Sequence, residues 1–124
     1  MKHHESSWDK LLQIQTTGRD ETGADQYHHP YEPTPYSVLE RLADSGFLGA
    51  GDVLLDYGSG KGRVDFFLSH RTKASTIGIE YDERIYGDAL ENKKTAVSKE
   101  KTIFVLANAE NYEVPLSVNS CYFF

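Results

Sequence analysis

The chain has 124 residues, of which 39% are hydrophobic and 26% charged, with a net charge of −6; that allows one domain with a modest core. No apolar run approaches the roughly 20 residues that cross a bilayer, and neither half carries the positive field of a polyanion binder, so neither a membrane span nor a nucleic-acid partner is expected. The start of the chain lacks an apolar leader, which points to the cytoplasm, and Cys121, the only cysteine, is expected as a small buried hydrophobe.

In chain order, Ser6-Ser7-Trp8-Asp9 has the form of a capping box, and Trp8, Leu11 and Leu12 follow at helical spacing before Gly18, which predicts a short amphipathic helix. Residues 19–33 are polar and aromatic and read as a long loop. His28 and His29 within it are adjacent, so they point apart and lack metal-ligand spacing; no metal is expected. Thr34 then reads as the N-cap of a second helix, with Pro35 in its first turn, Val38, Leu39 and Leu42 on one face, and Gly46 at its end. The chain divides accordingly into a helix and loop over 1–33 and a main domain over 34–124.

Within that domain "GDVLLDYG" predicts a strand over Val53 to Leu55 closed by Asp56, and "GRVDFFLSH" places Val64, Phe67 and Leu68 at helical spacing. "STIGIE" is a second strand, and residues 82–97 are a helix with Ile85 and Ala89, and Tyr86, Leu90 and Val97, as stripes. "KTIFVLA" and "SCYFF" are further strands. This β-α-β-α-β alternation implies an α/β fold, a Rossmann-like parallel sheet of about four strands with helices on both faces. A fourth strand with nothing after it suggests a truncated chain, the N-terminal half of a larger sheet, because ligands of open α/β sheets bind beyond the carboxyl ends of the strands.

The segment "LLDYGSGKGR" carries the chemistry. A P-loop needs a hydroxyl residue after its lysine, and Lys61 is followed by Gly62. A dinucleotide fingerprint needs a third glycine where Arg63 stands. What remains is Asp56, Gly58, Gly60 and Gly62 between a strand and a helix. Unshielded N–H groups at a helix start suit a carboxylate, and a nearby aspartate suits an ammonium; a tight turn with no ligand is the alternative.

At these residues the chain resembles the class I S-adenosylmethionine-dependent methyltransferases, whose first motif is similar to "VLLDYGSGKGR". The resemblance covers about residues 30–124. It implies that Asp56, Gly58, Ser59, Gly60 and Gly62 meet the methionine end of S-adenosylmethionine. It also implies that Glu80, ending the second strand, accepts from the ribose hydroxyls with Tyr81 along the adenine; a cap for the helix that follows is the alternative. Asn108, where the family usually has an acid, and Ala109 would read the adenine edge, with a turn-forming Asn as the alternative. Tyr31 and Thr34 fall in the segment that such enzymes close over the cofactor. The implied activity is methyl transfer to an N, O or C acceptor, with no catalytic residue in view. A non-catalytic cofactor-binding or interaction module and an NAD-linked oxidoreductase are the competing readings, the second disfavoured by Arg63. "SCYFF" is expected beside the first strand, leaving an apolar edge that either pairs with another copy or continues into the remainder of a longer chain.

Overall fold

The computed structural model describes residues 2–18 and 32–123. Four helices and four strands follow in the order α1 (Lys2–Leu12), α2 (Tyr36–Asp44), β1 (Val53–Tyr57), α3 (Arg63–Thr72), β2 (Ser75–Glu80), α4 (Glu83–Thr95), β3 (Thr102–Leu106) and β4 (Ser120–Phe123), with a 3-10 turn at Ala109–Asn111. The sheet is wholly parallel in the order β3-β2-β1-β4. Each crossover from β1 to β3 steps one way, and the connection from β3 then passes to the far side of β1. The order therefore reverses between β1 and β4, and the crevice at such a reversal is where open α/β sheets hold ligands. No described helix is long and apolar enough to cross a membrane.

Alternate residues of each strand serve two clusters. Leu54 and Phe104 face Leu12, Ile14, Tyr36, Leu39, Val64, Phe66, Phe67, Leu68, Ala89 and Ala96, so α1 to α4 all pack on this face. Leu55, Ile77 and Ile79 form the second cluster, against which Ala107, Tyr112 and Val118 of the β3–β4 connection pack. Helices on both faces were expected; among the described residues the helical side chains gather on one, and irregular chain covers the other. Leu12 and Ile14 of the segment before α2 lie in the same core as α2 and α3.

Several local expectations shift. Ser6 and Ser7 lie inside α1, and Asp9 caps nothing: it accepts from Thr16 and Thr17 beyond the helix. α2 starts one residue later than Thr34 predicts, with Pro35 at the N-cap and no side-chain cap, because the Thr34 hydroxyl pairs instead with the Tyr122 hydroxyl at 3.0 Å. Leu11, Val38, Leu90 and Val97 face outward. Cys121 is exposed, not buried, because it sits in register with Leu55, on the face the helices leave open.

Candidate cofactor site at the carboxyl end of β1

β1 runs into a glycine turn at the sheet reversal. Gly58, Gly60 and Gly62 have φ of +76°, +58° and +98°, backbone that side-chain-bearing residues adopt only at a cost. At Gly62 there is also no room, since an added Cβ would lie 2.7 Å from the rings of both Phe66 and Phe104. Gly58, by contrast, borders open space. The turn is pinned to the end of β2: the N–H groups of Gly58 and Ser59 both donate to the Ile79 carbonyl, at 2.8 and 2.9 Å. Gly78 permits this approach, because a Cβ there would meet the Ser59 Cβ at 2.6 Å. Gly78 carries its own signal in the sequence, because a lone glycine inside a strand ordinarily marks close backbone approach.

These bonds change the expected role of the turn. The N–H of Gly60 donates to Glu80 Oε1 at 2.8 Å and that of Gly62 to the Ser59 carbonyl at 3.0 Å. The N–H groups of Gly58, Ser59, Gly60 and Gly62 are therefore all engaged within the chain, so the expected cradle of unshielded donors is not present at these four. Among the described residues, the buried side-chain atoms that lack a partner are Asp56 Oδ2, Ser59 Oγ and both carboxyl oxygens of Asp65.

Asp56 and Asp65 are 1% and 0% exposed. Burial pushes the Asp56 carboxyl up to about 7, the Asp65 carboxyl beside it, which can donate only when protonated, opposes this, and the Glu80 charge adds to the rise. Burial, then the charge of Asp56 and the contact with it, raise Asp65 well above the usual carboxylate range. Asp65 was not singled out in the sequence, where it reads as one more residue of a helical run.

Glu80 is half-buried at the rim. Besides Gly60 it accepts from the Asp82 N–H at 2.9 Å through Oε2, so it ties the glycine turn to the entry of α4. The cap of α4 is Asp82, which accepts from the N–H groups of Arg84 and Ile85; the cap alternative for Glu80 falls to its neighbour. Tyr81 is 55% exposed beside it. At the end of β3, Asn108 and Ala109 are exposed. Asn108 Oδ1 accepts from the Glu110 N–H at 2.9 Å, the turn-forming role held open above. Thr34 is buried, and its carbonyl accepts from Arg63 Nη1 at 3.0 Å. Tyr31, His28 and His29 lie outside the described residues. Among the described residues no group of His, Cys, Asp and Glu is arranged to hold a metal ion.

Arg63 has a larger part than the third-glycine argument gave it. It is 2% exposed, paired with Glu5, donating to the Thr16 and Thr17 hydroxyls and stacked 4.1 Å from the centroid of the Tyr36 ring. Asn92 makes a second tie, from α4 to the Gln15 backbone and to the Lys61 carbonyl. The glycine turn is thus held from β2, from α4 and, through Arg63, from the N-terminal helix.

No protein-family model matches the sequence, and no curated protein matches it. Solved structures do. An RNA methyltransferase from Salinibacter ruber, in complex with S-adenosyl-L-homocysteine, superposes with a TM-score of 0.68 at 26% identity, over 74% of this chain and 60% of that one. A SAM-dependent methyltransferase from Thiobacillus denitrificans, also with S-adenosyl-L-homocysteine, gives 0.67 at 20% identity over 83% and 40%. A protein-L-isoaspartate O-methyltransferase gives 0.63 at 21% over 81% and 32%. The fold is that of the class I S-adenosylmethionine-dependent methyltransferases. The chain spans 60% or less of the length of these three proteins.

Proposed function

We propose that this chain binds S-adenosylmethionine and serves methyl transfer to a nitrogen, oxygen or carbon nucleophile. The observation that carries the reading is the pair of buried, unpartnered acceptors Asp56 Oδ2 and Ser59 Oγ, set where the sheet order reverses and beside open space at Gly58. A buried acceptor without a partner costs about 1–3 kcal/mol, and an ammonium group satisfies it. The neighbours that hold S-adenosyl-L-homocysteine support the same ligand class.

In this reading Asp56 and Ser59 take the amino-acid end of the cofactor, and Gly58, Gly60 and Gly62 let the backbone come close to it. Glu80 turns its remaining lone pairs to the ribose hydroxyls, Tyr81 lies along the adenine, and Asn108 and Ala109 meet its edge. Thr34, fixed by Arg63 and Tyr122, positions the segment before α2, to which Tyr31 also belongs. When bound, S-adenosylmethionine supplies a methyl group already activated by its positively charged sulfur. The chain's own task is then to hold and align rather than to activate. A cytoplasmic site of action is part of the proposal, since a chain with one cysteine needs no oxidising compartment.

Titration calorimetry with S-adenosyl-L-homocysteine and, separately, NAD tests the reading. The expected result is binding of the first and none of the second; tighter binding of NAD overturns it.

A further inference from the structure

Asp56 and Asp65 are both buried and interact side chain to side chain, and two such carboxyls cannot both be satisfied as anions, because neither has a hydrogen to donate. As ions, Asp56 Oδ2 and both oxygens of Asp65 have no partner, so one proton between them converts a repulsion into a hydrogen bond. The surroundings decide which residue keeps it. Asp65, in the first turn of α3, is 0% exposed and has a partner at neither oxygen. Asp56, on β1 two residues before Gly58, lacks a partner at Oδ2 alone.

The groups facing the pair come from each element packed around it. Glu80 on β2 adds negative charge. Tyr122 on β4 is in register with Asp56, but its hydroxyl is committed to Thr34. Arg63 on α3 has its guanidinium on Glu5, Thr16, Thr17 and the Thr34 carbonyl. Ser59 in the glycine turn brings a neutral hydroxyl with no partner. The Arg63 guanidinium is thus spent on its own partners.

Resting on the cofactor reading above, we propose that Asp65 is a positioning residue: it keeps its proton, donates it to Asp56, and leaves the ionisation of Asp56 to gate the binding of a cofactor ammonium. Asp56 is a counter-charge to that group only as the anion. When the pH falls, Asp56 takes a proton from solvent, the Asp65 hydroxyl loses its best acceptor, and the ammonium loses its counter-charge. The site therefore binds its cofactor more weakly in acid, although the ammonium itself stays charged throughout.

The experiment has two arms. In the first, carbon-13 NMR of labelled aspartate follows the side-chain carboxyls of the unliganded protein from pH 4 to pH 9. One carboxyl should remain protonated through neutrality and disappear in Asp65→Asn, and a second should titrate near neutrality. Ionisation of every aspartate below about pH 5, the usual range, overturns the proposal with no ligand involved. In the second arm, calorimetry with S-adenosyl-L-homocysteine should give affinity about tenfold weaker at pH 6 than at pH 8, since a required anion is lost tenfold per pH unit below its midpoint. Asp65→Asn, whose amide still donates, should keep the affinity at pH 8. Asp65→Leu, which cannot donate, should weaken it and move the acid limb to higher pH. Affinity unaffected by pH, or equal in the Asn and Leu variants, overturns the gating. Absence of any binding with the NMR titrations intact overturns the cofactor reading instead and confirms the shared proton.

Discussion

Arg63, Asp9 and Glu80 each hold backbone or side chains that the sequence places far from them. Asp9 collects five donors, from the backbone and hydroxyls of Thr16 and Thr17 and from the Tyr36 hydroxyl at 2.5 Å. Burial pushes its carboxyl up, but the hydrogen bonds from Thr16, Tyr36 and Thr17 outweigh it and the net direction is down. A carboxyl held low in the folded state stabilises above its unfolded value of 3.8 and loses that contribution as the pH falls through the folded value. Asp9→Asn should therefore cost roughly 1.5–3 kcal/mol at neutral pH, the worth of a hydrogen bond to a charged group, and the difference from wild type should shrink in denaturant melts taken towards pH 2. Arg63→Met should cost more, about 3–5 kcal/mol, because it leaves Glu5 and the Thr34 carbonyl without their buried partner; chemical denaturation reads it directly. Glu80→Gln replaces an acceptor by an amide that cannot accept from both Gly60 and Asp82. It should weaken S-adenosyl-L-homocysteine binding tenfold or more and also lower the melting temperature by a few degrees; a melting shift with unchanged affinity would leave Glu80 a purely structural brace. Asp56 and Glu80 stand out in the sequence because an acid at or near the end of an apolar strand is conspicuous. Arg63 and Asp65 were not, because periodicity shows that a residue faces the core without showing what it meets there.

At the scale of elements, the alternation of short apolar runs with helical spacing carried most of what was readable. "STIGIE" is β2 without a shift, and Ser120–Phe123 of "SCYFF" does lie beside β1. The helices were harder at their ends. Asp82 takes the cap of α4, and Thr34 is drawn from its expected cap into a tertiary contact with Tyr122; propensity alone does not register such competition. The stripe of α4 also overruns, because Ala96 already has extended backbone and Val97 donates to the Leu12 carbonyl instead of continuing the helix. Asp82→Ala removes the cap of α4 and should destabilise by about 1 kcal/mol. Gly62→Ala combines left-handed backbone with a Cβ 2.7 Å from two aromatic rings. About 1–2 kcal/mol for the backbone and 1–3 for the overpacking predict a loss of roughly 2–5 kcal/mol. Equal stability of Gly62→Ala and wild type in urea would mean that the turn relaxes at no cost and is not held as described.

For the whole molecule the open question is what lies against β4. Among the described residues β4 pairs with β1 alone, and its outward side chains are apolar: Phe123 is 71% exposed, stacked on Tyr57 with ring centroids 4.8 Å apart, and Cys121 is exposed next to it. Val114 and Leu116 of the β3–β4 connection are exposed as well. An unpaired parallel edge with such side chains templates another strand, and aromatic side chains that bury about 150–250 Å² each are enough to drive it. The 124-residue chain is therefore expected to associate with a second copy along β4, and sedimentation should find a dimer or larger species. Removing the residues after Ser120 does not test this cleanly. It also strips Tyr122, which packs into the helical cluster and bonds Thr34, so the expected result of that truncation is loss of folding. Phe123→Lys is the sharper variant, because it leaves the β4 backbone and Tyr122 in place while setting a charge on the open face. It should sediment as a folded monomer with the melting temperature of the unassociated wild type. A wild-type chain that stays monomeric at every concentration, or a Phe123→Lys dimer as tight as wild type, would put the association elsewhere than on this edge.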